Sequence, residues 1–336
     1  MFNKIYENTK KFIIENYKTI IIFAITIFVL SFPLPYMIYK PGGVVKLNDR
    51  IKVEEGYNYK GELSMSYVSM VKGTLPTLGL SYIFKNWDIV PKSEVTYEDE
   101  SLNDLITLEK LYMKSSIENA TILAFNKANK KVTINKTINN VVYVSKEAKT
   151  DILKYDEIIS VDGKYITNIE DIKKIVGTYK ENDKVNILVK RDGKEINTSS
   201  TIYKTDDGLK LGISTLTTYD YETDPKVSFK TKNNESGSSG GLMLSLAIYN
   251  ELIDEDITKG KHIVGTGTIE TDGTVGAIDG VKYKILGAVK NKADLFICPK
   301  ENYEEAIKAK EDNKLKIDIV SVETFDDALK YLKSME

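Results

Sequence analysis

The chain has 336 residues, 42% of them apolar and 29% charged, with a formal net charge of −2. That composition belongs to folded globular proteins, and the length accommodates about two compact domains and an appendage. Lysines and carboxylates are interspersed, which excludes the basic footprint of a nucleic-acid-binding protein. The chain holds one cysteine, Cys298, and one histidine, His262. An internal disulfide is therefore excluded, and no Cys/His spacing suggests a zinc site. Cys298, in LFICPK, has the apolar neighbours of a buried strand position and is read as structural. No GxxxxGK[ST] phosphate loop occurs, and no metal or cofactor is expected.

The stretch between Lys18 and Lys40 carries no charge. Roughly 20 apolar residues at 1.5 Å each cover a hydrocarbon core of about 30 Å. A short tail, 1–18, and an uncleaved transmembrane anchor, 19–39, are predicted. Pro33, Pro35, Tyr36 and Tyr39 read as an interfacial exit with aromatic anchors. Lys4, Lys10, Lys11 and Lys18 precede the span while Lys40, Lys46, Arg50 and Lys52 follow it. The charge rule for orientation gives a tie, and the shortness of the tail favours an amino terminus inside.

From residue 41 to about 91 the pattern is of short β-rich pieces broken by Gly and Pro. Between Ser93 and Asn129, Leu102, Leu105, Ile106, Leu108, Leu111 and Tyr112 recur at helical spacing, with acidic residues from Asp99 to Asp104 at the start. Core packing accounts for this helix, and no chemistry is assigned to it. NNVVYVS reads as a strand. DILKYDEIISVDGKYI then supplies a short helix-like piece, a strand and an Asp162-Gly163 turn. IEDIKKIVGTY forms an amphipathic helix with Ile169, Ile172 and Ile175 inward, and a hairpin turns at Asp192-Gly193. This order resembles a bacterial PDZ domain, whose pattern L-x-x-G-D-x-I-x-x-V-(D/N)-G is met by Leu153, Asp156, Ile158, Val161, Asp162 and Gly163. Tyr155 stands where the family has glycine. The resemblance implies peptide binding by addition of a strand to a sheet edge.

Beyond Gly208 strands and helices alternate. In NESGSSGGLMLSL, small residues lead into the helical pattern of Leu242, Met243, Leu246 and Tyr249. A serine at such a junction lies beside unpaired backbone N–H groups that can hold an oxyanion. Gly237-Ser238-Ser239-Gly240-Gly241 also fits the G-x-S-x-G elbow of esterases. His262 follows only 23 residues later, too soon for the usual order of serine, acid and histidine. A lysine can take the serine proton instead, if burial lowers its pKa toward neutrality. Lys282 and Lys284 open a short helix carrying Val281, Ile285, Ala288 and Val289, and periodicity does not choose between them.

The region from Gly208 onward resembles the proteolytic domain of Lon-type peptidases. The family motifs G-P-S-A-G, T-G-E-I and G-G-L-K-E-K correspond to Gly237–Gly241, Thr266–Ile269 and Asp279–Lys284. The resemblance selects Ser239 as nucleophile, Lys284 as general base and Thr266 as a supporting hydroxyl. Among the departures from the motifs, Ser238 and Gly240 stand for Pro and Ala of the nucleophile motif, and Asp279 replaces a glycine. With Ser238 adjacent, either hydroxyl could attack. The whole chain resembles the membrane-bound, PDZ-containing Lon-like peptidases of bacteria. It implies an α+β chain with a transmembrane helix and an α/β Lon-type domain split into 41–115 and 208–336 around a PDZ-like insertion, 120–205. The implied protein is an ATP-independent serine endopeptidase anchored in lipid, with its bulk outside the cytoplasm and with exported or membrane polypeptides as substrates. The competing expectation is an inactive, membrane-tethered PDZ scaffold.

Overall fold

A computed structural model of the protein describes residues 2–95, 102–206, 208–232 and 235–335. The predicted acidic helix start at Asp99 and Glu100, and Asn234 of the small-residue run, lie outside them. The first element is a 30-residue helix, Phe2–Ser31. From Lys4 to Ser31 it is long and apolar enough to cross a membrane, and none of its apolar window is buried by the rest of the chain. Pro33 and Pro35 follow, and neither can continue a helical ladder. The uncharged run thus divides in a way that its composition does not reveal. Tyr36–Lys46 is a strand, and Met37 and Ile38 are core residues at 5% and 0% exposure. Tyr36 and Tyr39 belong to that strand, so the helix ends at Ser31 and not at residue 39.

The first sheet draws on both ends of the sequence. Its order is Asp318–Val322, Leu295–Pro299, His262–Gly265, Glu62–Lys72, Tyr36–Lys46 and Asp88–Pro91. The first four run parallel, and the last two add antiparallel. Side chains on a strand alternate between faces, so each buried strand feeds two cores. Ile263 and Ile297 pack with Leu242, Leu246 and Leu123 of the helices Gly241–Leu252 and Leu102–Lys127. Val264 and Cys298 pack on the opposite face with Val281 and Ile285 of the helix Val281–Lys290. Cys298 is fully buried, and burial pushes its thiol up to about 12, as expected for a structural residue.

A second sheet runs Ile213–Asp224, Lys131–Val144, Glu157–Val161, Lys184–Arg191 and Lys194–Thr201, with the helix Ile169–Val176 against it. Ile172 and Ile175 of that helix point inward, while Ile169 is only partly buried. Both Asp-Gly turns take left-handed conformations at both residues, at φ of 47° and 75° for Asp162-Gly163 and 50° and 78° for Asp192-Gly193. The helix-like piece at Asp151–Asp156 is instead a turn, in which Tyr155 adopts φ 74°. Tyrosine therefore takes up the backbone conformation for which this motif usually employs glycine. The turn is held by Asp156, which is 1% exposed and accepts two hydrogen bonds from Arg191 at 2.7 Å and one from the Leu153 N–H at 2.8 Å.

The two sheets are joined by the long ladder of Lys131–Val144 with Ile213–Asp224, which runs onto the helix Leu102–Lys127. Ser115 Oγ donates to the Thr217 carbonyl at 2.7 Å, and Glu118 accepts from the Tyr219 N–H at 2.7 Å. Asp156→Ala would leave the Arg191 guanidinium and the Leu153 N–H without their acceptor, a loss of about 2–3 kcal/mol. Amide exchange should show that loss at Ile158 and Val189 and leave the strand Leu295–Pro299 unchanged.

Candidate active site

The loop before the helix Gly241–Leu252 is shaped by close approaches. Gly237 has φ 94°, and a side chain there would also meet the Glu109 carboxylate at 3.0 Å. A Cβ on Gly240 would lie 2.5 Å from Met65 Sδ, and one on Gly241 would lie 2.7 Å from Ile269 Cγ2 and 2.8 Å from Ser116 Oγ. These contacts account for Gly240 where the Lon motif has alanine: the floor beneath it is occupied by Met65. The loop is tied from two sides. The Gly237 N–H donates to the Glu109 carbonyl at 2.9 Å, and Ser116 Oγ donates to the Ser238 carbonyl at 3.0 Å. Upstream, Arg50 donates to the Lys230 carbonyl and to Glu235, both at 2.8 Å, and the other Glu235 oxygen accepts from the Lys232 N–H at 2.9 Å.

Ser239, not Ser238, lines the adjoining cleft of about 610 Å³. Its walls come from Val44–Lys46, from Met65–Val68 and from Met113. Gly240 caps the helix without a side-chain hydrogen bond. Among the described residues, the N–H groups of Ser239 and Gly240 donate to no acceptor. Those N–H groups, at the positive end of a 12-residue helix, are suited to a developing negative charge.

Thr266 closes the other side. It is fully buried, and its Oγ1 donates to the Ser239 carbonyl at 3.0 Å, while the Gly267 N–H donates to the same oxygen at 2.8 Å. Lys284 Nζ in turn donates to Thr266 Oγ1 at 3.2 Å. The three residues are thus brought together as a chain from amine to hydroxyl to the Ser239 backbone. Lys282 points elsewhere: it pairs with Asp88 at 2.7 Å, and Asp88 also accepts from Tyr283 Oη at 2.6 Å. That clamp turns Lys282 and Tyr283 toward Asp88 and leaves Lys284 facing inward.

Lys284 is 3% exposed, and desolvation lowers its pKa from 10.5 to about 8, against the opposing pull of Asp279 and Glu305. The Glu109 carboxyl is pushed up by its own burial and by Asp279. His262 lies apart from this constellation. Its Nε2 is 3.1 Å from Ser64 Oγ and 2.9 Å from Glu62, so the G-x-S-x-G alternative has no base in place. The helix Leu102–Lys127, assigned only to the core, contributes Glu109 and Ser116 to the loop, and Asn119 donates to the Ile269 carbonyl at 3.0 Å. Its cluster of polar residues at 115–121 within an apolar pattern was the available signal.

Holding this amine dry has a stability consequence. A displacement from 10.5 to about 8 corresponds to a penalty on the order of 3 kcal/mol for the charged form. The folded pKa lies below the unfolded one, so the penalty is full below pH 8 and fades as pH rises toward 10.5. Lys284→Met, which keeps the volume and removes the charge, should stabilise the protein at pH 7 by about 1–3 kcal/mol. Denaturant titration should show that gain shrinking above pH 8.

Comparison with known proteins matches residues 231–334 to the Lon protease (S16) C-terminal proteolytic domain and residues 123–202 to the PDZ domain. The peroxisomal Lon protease homolog 2 of Caenorhabditis elegans is 34% identical over 96 residues, which is 29% of this chain and 12% of that protein. The Lon protease of Roseiflexus castenholzii is 34% identical over 95 residues, 28% of this chain and 12% of that protein. The chain thus spans a small part of the length of these relatives. The PDZ domain of the SdrC-like protein from Listeria monocytogenes is 20% identical, covering 26% of this chain and 93% of that one, with a TM-score of 0.23. The sequence match over 231–334 takes in the serine loop, Thr266 and the Lys284 helix, and the chain accordingly carries a Lon-type proteolytic domain, the domain of a family of serine peptidases, together with a PDZ domain.

Proposed function

We propose that the protein is a membrane-anchored, ATP-independent serine endopeptidase in which Ser239 is the nucleophile and Lys284 the general base. The observation that carries this reading is the buried amine of Lys284, poised at about 8 and hydrogen-bonded to the hydroxyl that holds the Ser239 carbonyl. A neutral amine takes the Ser239 Oγ proton as that oxygen attacks a peptide carbonyl. The N–H groups of Ser239 and Gly240 receive the oxyanion. The ammonium then returns its proton to the leaving amine, giving an acyl-enzyme, and water activated by the same lysine releases the second product. Thr266 keeps the amine and the serine backbone in one geometry through both steps.

The PDZ domain supplies recruitment in this reading. A groove of about 530 Å³ lies between the helix Ile169–Val176 and the segment Leu209–Thr215. Ile213–Asp224 is the outermost strand of its sheet, so a peptide can add beside Ile213–Thr215 by main-chain pairing. In this reading the helix Phe2–Ser31 anchors the chain in lipid, and the resemblance to membrane-bound Lon-like peptidases supports a catalytic bulk outside the cytoplasm. Flexible segments of exported or membrane proteins are then the accessible substrates.

The test is cleavage of an unfolded model protein without ATP, in detergent, by wild type, Ser239→Ala, Ser238→Ala and Lys284→Ala. The Ser239 and Lys284 variants should lose at least about 10³-fold in kcat/KM, and Ser238→Ala should stay active. Cleavage that survives both losses contradicts the dyad, and no cleavage by wild type favours the tethered scaffold. Because the base must be neutral, kcat/KM should rise about tenfold per pH unit on the acid side and level off above about pH 8.

A further inference from the structure

The helix Leu75–Ile83 has no buried residue, although its sequence, LPTLGLSYI, is largely apolar. Leu75, Leu80, Tyr82, Ile83 and Phe84 expose 49%, 37%, 84%, 74% and 49% of their surface. Scattered exposed apolar residues need no explanation, but a contiguous patch does. This helix packs beside the end of Phe2–Ser31, and the Leu34 N–H donates to the Gly73 carbonyl at 2.8 Å, just ahead of the cap at Thr74. The patch therefore emerges where the apolar span ends. From Lys72 to Trp87 the chain carries two lysines, Lys72 and Lys85, and no acidic residue.

We infer that Leu75–Trp87 is a second membrane contact, an interfacial helix lying on the bilayer surface at the foot of the anchor. The inference rests on the anchor reading and deepens it. Its partner is the headgroup and upper acyl region of a lipid bilayer. Such a surface favours aromatic residues at the boundary with basic residues beside them, and it disfavours carboxylates. Trp87 stacks near Phe84 at 5.2 Å between ring centroids, with Lys40 Nζ 4.6 Å from its own. The segment is held in place rather than trailing. Lys85 donates to the Asp312 carbonyl at 2.8 Å, and Asn86 donates to Asn313 at 2.9 Å. Two contacts, a span and a surface helix, fix the tilt of a domain that one flexible tether would leave free. Asp88, which holds Lys282 and Tyr283, follows directly.

Trp87 is the one tryptophan in the chain, which makes the test direct. The full chain is reconstituted in vesicles containing lipids brominated near the headgroup end of the acyl chain, and tryptophan emission is followed. Strong quenching, greater than with lipids brominated near the chain terminus, is expected. The paired substitution Tyr82→Glu and Ile83→Glu should abolish the quenching, with the span still resisting alkaline extraction. Unquenched Trp87 in a wild-type chain that resists extraction overturns the surface helix and leaves the anchor intact. A chain that is extracted sinks the anchor reading itself. Covering of the patch by a second copy is a distinct contrary outcome, read as a disulfide-linked dimer of Ile83→Cys with Trp87 unquenched.

Discussion

A primary amine enclosed by an apolar core resists protonation, and much of the Lon-type domain of this molecule packs so that Lys284 stays enclosed. Val264, Ile278, Val281, Ile285 and Phe296 form the cluster around its helix. The left-handed Gly280 starts that helix at φ 69°, in contact range of Val68. Lys282 and Tyr283 are drawn to Asp88, so the register of the helix leaves Lys284 toward Thr266. In the proposed dyad, the same burial that costs folding stability brings Lys284 toward the pH at which it would accept a proton. Lysine suits this role because its pKa moves readily when water is removed.

The division of the sheet between distant parts of the chain follows from what surrounds that lysine. Strands Tyr36–Lys46 and Glu62–Lys72 close the cleft on one side, and Met65 presses on Gly240. The serine loop itself is held by residues remote in sequence: Arg50, Glu109 and Ser116. The second sheet connects to this scaffold through one long ladder bound at Ser115 and Glu118, on the same helix that supplies Glu109 and Ser116. One helix thus contacts both the PDZ sheet and the serine loop.

Local patterns made much of this legible. The Asp-Gly turns, the helix Ile169–Val176 and the glycine-to-helix junction at Gly240 depend on neighbours in sequence, and they are where the pattern put them. The PDZ and Lon-type domains are legible through the resemblance of their motifs to those of known families. The end of the apolar helix was not legible, because Tyr36–Tyr39 is as free of charge as the span and strand pairing with Glu62–Lys72 and Asp88–Pro91 is what sets it apart. The roles of Glu109, Ser116 and Asn119 were also hidden, since a helix that packs against a core shows the same periodicity whether or not its polar residues hold a loop. Choosing between Lys282 and Lys284 needed Asp88, a partner 194 residues away.

The measurement that bears most directly on the dyad is site-mapped labelling by a serine-reactive phosphonate, with the rate followed against pH. The account predicts one adduct, on Ser239, forming at a rate that rises with pH to a plateau above about 8, and no adduct in Lys284→Met. An adduct on Ser238, or labelling of Ser239 that is indifferent to the loss of Lys284, would contradict it.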